Sequence, residues 1–461
     1  MKLLIKTLCV FVISFVFFIS IVLLFEPSFL SVESAMSLYG IGALAAVSYM
    51  FLSRSLLTFG PLHIILLYEA CSCFGYDIVV LLFGHGAFLE ICAIRHAYIE
   101  YFNLANAICF CLLCSALLGA RVSVKSSRNN FCEFQDAFSI KEKNILCLLC
   151  KVFVWTLCSV LLAAVMFGTL SFSTYSESRE WFADRSYFGY LLRIVWVSVP
   201  TYLLLCKRIS VKGFALPLAM VSFILIFTGN RNEAMYCLAM GLGSFVWRRK
   251  QEQGRGVPVW AVIASLFVVF VLNPIISSTR AIGLDFDTLI TGAFGVKDAL
   301  MELGQQINPF SISLYAMDKL GYGFQMGMTI LVPSLVILLL RALFDSSDYL
   351  YSDYNPLYVL ERMGHSGRGY SLFAELYVNF GTVISMGVVF LLSRFAARCE
   401  HISSRPRIVL LYFQISTLFM LWARNTIAFN ITIVVFALIM DSIAYFAANT
   451  RSQEQWHGEH L

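Results

Sequence analysis

Charge is what this chain has least of. Only 13% of its 461 residues are Asp, Glu, Lys or Arg, while 59% are hydrophobic and 15% are aromatic. A soluble domain carries roughly 25% charged residues. A soluble particle of this size cannot cover its surface with so few charges, and the mean hydropathy is +0.79. A soluble enzyme and a disordered tail are both excluded. Also missing are a Walker A motif, a GxGxxG loop, and a DxD pair set in a soluble nucleotide-sugar domain, so nothing supports a nucleotide-dependent enzyme. There is no internal repeat of fixed period and no low-complexity tract. Gly84-His85-Gly86 and His96 lack the carboxylate–His spacing of a metal site. The 14 cysteines lie mostly inside apolar runs, and the Cys147–Cys150 pair has neither a second pair nor a nearby His. These read as packed thiols, not as a redox or disulfide framework.

What is present is a series of apolar runs from residue 7 to residue 448, too many for a single signal peptide. Twelve spans are expected: 7–25, 35–53, 62–83, 103–120, 145–168, 188–206, 213–229, 232–247, 259–276, 371–393, 407–422 and 427–448. Each approaches the roughly 20 residues needed to cross the hydrocarbon core. Lipid offers backbone groups no partners, so the runs must be helices. The fold class is therefore all-α and polytopic, with about 12 transmembrane helices. It divides into a bundle over 1–276, a long loop over 277–370, three further spans over 371–448, and a tail over 449–461.

Lys and Arg orient the chain. With the N-terminus inside, 20 of the 33 basic residues fall on the inner side and 11 on the outer, six of those in the long loop. This bias places both termini in the cytoplasm and 277–370 outside. Residues 326–344 are apolar enough to cross. A crossing there would turn Arg394, Arg398, Arg405 and Arg407 outward, and Pro333 breaks the run. A re-entrant or interfacial element is the preferred reading, with a thirteenth span as the alternative. Lys151 and Arg193 lie within spans and are read as snorkelling. Val296–Leu303 is expected to form a short amphipathic helix. The tyrosines at 349, 351, 354 and 358 are expected at headgroup level, with sugar stacking as the other role of the first three.

Four arginines fall at the outer boundary in this topology: Arg231, Arg280, Arg368 and Arg424. Singly, each could snorkel to a headgroup. Together they run against the outward depletion of positive charge, and a guanidinium fork suits a diphosphate. A lipid-linked diphosphate is the expected ligand. Acid–base candidates on the same side are Glu302, His365 and Glu375, with Asp285 and Asp287 behind them. Asn379 lies one turn beyond Glu375 on the same face. Glu375 in an apolar helix end is either paired with an arginine or functional.

Taken in order, Gly229-Asn230-Arg231, Arg280, Glu302-Leu303-Gly304, Pro333, Gly367-Arg368-Gly369-Tyr370-Ser371 with Glu375 and Asn379-Phe380-Gly381, and Arg424-Asn425 resemble the Wzy-type O-antigen polymerases of bacterial inner membranes. The resemblance implies a GT-C-like helical bundle in the inner membrane. It implies a metal-independent glycosyltransferase that joins undecaprenyl-diphosphate-linked oligosaccharide units at the periplasmic face. Glu302 or His365 would then be the base, the four arginines the diphosphate ligands, and Glu375, Asn379 and Tyr370 supporting residues. Expected partners are the lipid-linked donor and acceptor, membrane lipid and a chain-length regulator protein. No cofactor and no nucleic acid is expected. An O-antigen ligase is the nearest alternative. A flippase or transporter of lipid-linked oligosaccharide is disfavoured, because the spans read as nearly uncharged.

Overall fold

The structure is a computed structural model of the full chain. It describes residues 2–53, 59–121, 129–170, 181, 186–206, 208–228, 231–253, 296–335, 355–362, 370–401, 405–423, 427 and 431–458. All regular structure there is helical. The first half holds α1 (Lys2–Phe25), α2 (Val32–Leu52), α3 (Pro61–Phe83), α4 (His85–Arg95), α5 (Phe102–Ala120), α6 (Asn129–Asp136), α7 (Ile140–Met166), α8 (Ser186–Leu205), α9 (Leu216–Phe227) and α10 (Arg231–Gln253). The second holds α11 (Val296–Gly304), α12 (Ile307–Lys319), α13 (Met328–Leu335), α14 (Pro356–Arg362), α15 (Leu372–Glu400), α16 (Pro406–Trp422) and α17 (Thr432–Gly458).

Eight described helices are long and apolar enough to cross a membrane. Val211–Ile226 and Pro406–Trp422 are shorter apolar helices. The chain is thus a multi-pass, all-helical membrane protein. The expected span 259–276 lies outside the described residues, and α10 is a helix without the apolar character of the eight.

The chain divides into two compact units. Unit 1 comprises Met1–Val124, Gly295–Arg398 and Phe419–Ile431. Within it α1 packs on α2 and α5, and α2 packs on α3. Burial sorts these helices: 89% of the apolar window of α5 is buried against 22% for α1, so α5 is central and α1 peripheral. The expected amphipathic helix in the long loop is present as α11. It lies directly on α3, and the contact depends on two glycines. A methyl group at Gly75 would overlap the Leu300 carbonyl, and one at Gly304 would overlap the backbone nitrogen of Tyr76. Backbones this close admit no Cβ, so the pair sets the depth of α11. The following helix α12 is also interior, with Ile307 to Leu314 and Ala316 buried. α11 and α12 therefore pack into the interior of unit 1, while Val296, Asp318 and Lys319 at their ends stay exposed.

Unit 2 comprises Lys125–Phe294, Cys399–Leu418 and Thr432–Leu461. Ser139 caps α7 by accepting from the Glu142 N–H at 3.1 Å, and the Glu142 carboxylate meets Arg407 at 2.9 Å. The Arg407 guanidinium also lies 4.9 Å from the Tyr445 ring centroid. Arg248 closes the end of α8 by donating to the Leu203 carbonyl at 2.9 Å and to the Cys206 carbonyl. The Leu203 carbonyl lies in the last turn of α8, where the helix supplies no partner. Trp247, fully buried, donates to the Glu400 carbonyl at 2.6 Å. Cys147 meets Cys206, the residue that follows α8, at 2.6 Å, so its thiol partner is not Cys150.

Candidate functional site

The polar centre of unit 1 forms where α15 breaks. Gly381 has φ 68° and ψ −176°, a conformation open essentially to glycine. The break takes the carbonyls of Val378 and Asn379 out of the helical ladder. Two N–H groups from the segment ahead of α13 take their place: Gln325 N–H donates to Val378 at 2.9 Å and Met326 N–H to Asn379 at 3.0 Å. The first part of the expected re-entrant stretch 326–344 is therefore anchored on α15. Its remainder, 336–344, lies outside the described residues.

Glu375 sits within this centre at 0% exposure. Its Oε2 accepts from the Trp422 indole N–H at 2.6 Å and from the Ile427 backbone N–H at 3.1 Å. Its Oε1 accepts from the Thr329 hydroxyl at 3.3 Å. Thr329 in turn accepts from Asn379 Nδ2 at 2.6 Å, and the same amide nitrogen donates to the Glu375 carbonyl at 2.7 Å. One carboxylate thus joins α15, α13, the end of α16 and the chain at residue 427. Among the described residues the donors to this carboxylate are an indole, a backbone amide and a hydroxyl, and the side chains of the four candidate arginines lie outside them. Asn379 Oδ1 is buried without a hydrogen-bond partner. Tyr370 is 1% exposed, and its hydroxyl pairs with Ser313 of α12 at 2.8 Å. Burial pushes that hydroxyl well above the usual phenol range.

Of the other sequence candidates, Glu302 lies on α11, half-buried, near the helix end that meets α3. Arg231 is the first residue of α10, and nothing is described of its side chain. Arg280, His365, Arg368 and Arg424 lie outside the described residues, as do Asp285, Asp287 and the tyrosines at 349, 351 and 354. The structure therefore brings together Glu375 and Asn379 and packs Tyr370 on α12. Arg424 lies in sequence between Trp422 and Ile427, the two residues that Glu375 fastens.

Two buried carboxylates escape a reading that looks for site residues in loops. Glu69 and Asp77, both 1% exposed, stand on α3, whose apolar window is 72% buried. Asp77 accepts from Asn106 of α5 at 2.8 Å, and the Cys73 thiol lies 3.6 Å from Glu69. The reading of the spans as nearly uncharged is corrected here. The signal was in plain view, since two carboxylates in an apolar run are costly and mark a function or a paired structure. Lys151 reaches to 5.9 Å from the Tyr202 ring centroid, and Arg193 to 5.8 Å from that of Tyr190. Among the described residues no three His, Cys, Asp or Glu side chains converge as a metal set would.

No protein-family model, no curated protein and no solved structure matches this chain.

Proposed function

We propose that this protein joins undecaprenyl-diphosphate-linked oligosaccharide units at the outer face of a bacterial inner membrane, as a metal-independent polysaccharide polymerase. In this reaction a sugar hydroxyl of the acceptor unit attacks the anomeric carbon of the donor. The anomeric C–O bond to the lipid diphosphate breaks, and the electron pair leaves with the diphosphate. Arg231, Arg280, Arg368 and Arg424 meet the developing charge, a task suited to preorganised guanidinium donors. Glu302 or His365 takes the hydroxyl proton. The supporting observation is the Glu375 node. It fastens Trp422 on one side of Arg424 and Ile427 on the other. A buried carboxylate held by N–H donors is well suited to fix a short arginine-bearing segment, and precise placement of a charge-stabilising donor has large effects on rate. The break at Gly381 serves the same end, since it joins the α13 segment to the same centre.

A deletion strain tests the polymerase reading against ligation. A polymerase defect leaves single repeat units capped on lipid A-core, whereas a ligase defect removes all capped core. A second reading, transport of lipid-linked oligosaccharide, is favoured by Glu69 and Asp77, because buried acids in a membrane helix are typical of coupled transport. On that reading, Asp77→Asn abolishes movement of the lipid-linked substrate across a reconstituted bilayer. On the polymerase reading, that variant still elongates glycan.

A further inference from the structure

One end of unit 1 carries an aromatic and acidic patch that the reaction above leaves unused. Tyr98 and Tyr101 stand one turn apart on the short 3-10 helix His96–Tyr101 that leads into α5. Tyr315, near the end of α12, meets both edge-on. Its ring centroid lies 5.1 Å from that of Tyr98 and 5.9 Å from that of Tyr101, with interplanar angles of 80° and 90°. One turn beyond Tyr315, Asp318 Oδ2 accepts from the Tyr101 hydroxyl at 2.5 Å and pairs with Lys319 at 2.9 Å. The Tyr101 hydroxyl, and then Lys319, hold the Asp318 carboxyl below its ordinary range.

This end of the unit is exposed and charged. Asp318 and Lys319 side chains are 53% and 57% exposed. Two further exposed pairs, His85 with Glu33 and Lys297 with Glu90, join the starts of α4 and α11 to neighbouring elements. The charge at the patch also selects against one class of ligand. Among the described residues, Asp318 and Glu100 face a single ammonium, Lys319, which Asp318 already occupies. Such a surface repels phosphate and anionic headgroups. Three half-buried tyrosine rings beside an ionised carboxylate instead match a pyranose, which has a C–H face to lay on a ring and hydroxyls to donate to an acid.

We propose that Tyr98, Tyr101, Tyr315 and Asp318 form a glycan subsite that holds a sugar of the oligosaccharide substrate away from its diphosphate. This inference rests on the polymerase reading for its ligand. The sugar stacks on a tyrosine ring, and its hydroxyls donate to Asp318.

The test uses the purified full chain in detergent. The probe is the delipidated oligosaccharide released by mild acid from the lipid-linked pool of the native cells. Binding is read by saturation-transfer NMR, with inorganic pyrophosphate as the second probe. Tyr315→Ala and Asp318→Asn are expected to weaken oligosaccharide binding about tenfold, while Tyr315→Phe keeps it. Pyrophosphate is expected not to displace the oligosaccharide. On the wild-type protein, the same oligosaccharide is expected to protect Tyr101 and Tyr315 from nitration, a readout that needs no variant to fold. Unprotected tyrosines, or wild-type affinity in a monodisperse Tyr101→Ala/Tyr315→Ala double variant, overturn the subsite. The polymerase reading fails separately, when wild-type protein binds the oligosaccharide at these tyrosines yet never elongates the lipid-linked form.

Discussion

Among the described residues, Glu375 organises its centre through an indole N–H, a backbone N–H and a hydroxyl. Its Oε2 satisfies two buried N–H donors, and its Oε1 takes a hydroxyl that can turn. The two sides of the carboxylate therefore differ in what they tolerate. Glu375→Gln can keep an oxygen facing Trp422 and Ile427 and present its amide to Thr329, at a cost of about 1 kcal/mol. Glu375→Ala strands both N–H groups, at roughly 3 kcal/mol or more. Thermal unfolding of the purified variants checks the order, and an Ala variant as stable as the Gln variant would remove Glu375 from this role. Gly381→Ala places a side chain at φ 68° and is expected to cost about 1–3 kcal/mol. At this scale the sequence was half legible. The apolar surroundings of Glu375 announced a partner, but Trp422 lies 47 residues away and no local pattern links the two. Glu69 and Asp77 needed no long-range knowledge at all, because their position inside an apolar run was enough.

Among elements, the helices of the bundle follow from the apolar runs, since lipid leaves the backbone no other structure. Expected spans such as 62–83 and 103–120 coincide closely with α3 and α5. The interior place of α11 and α12 was not legible. Amphipathic periodicity over 296–303 told which residues share a face, but not that a helix would meet that face. The Gly75–Gly304 contact supplies the reason and a test. Gly75→Leu should lower the melting temperature of the purified protein by several degrees, because it forces α11 off α3. Gly387→Leu is the control, since a Cβ at Gly387 meets nothing within 4 Å, and it should leave melting unchanged. Equal melting of the two variants would show that α11 does not depend on the close approach.

For the whole molecule, composition alone established the membrane and the helical class, because so few charges cannot cover a soluble surface. Orientation rests on the Lys and Arg bias, and reporter fusions measure it directly. A fusion at residue 350 is expected outside and one at residue 400 inside. The reverse result, 350 inside and 400 outside, would make 326–344 a full span, and both on the same side would mean that 371–393 does not cross. The candidate site was legible as a set of residue types at one boundary, not as an arrangement. A guanidinium in a loop announces its chemistry, but sequence spacing says nothing of whether loops from distant parts of the chain meet. Glu375 contributes to that question by fastening residues on both sides of Arg424.

The most direct measurement is reconstitution of the purified protein in vesicles with lipid-diphosphate-linked repeat units, followed by separation of the glycan products by length. Wild-type protein is expected to build a ladder of multimers with or without chelator. Arg424→Ala is expected to lose about 100-fold or more of that rate while remaining folded and membrane-inserted. Substrate that crosses the bilayer but never lengthens, or an Arg424→Ala variant that builds the same ladder at the same rate, would contradict the account.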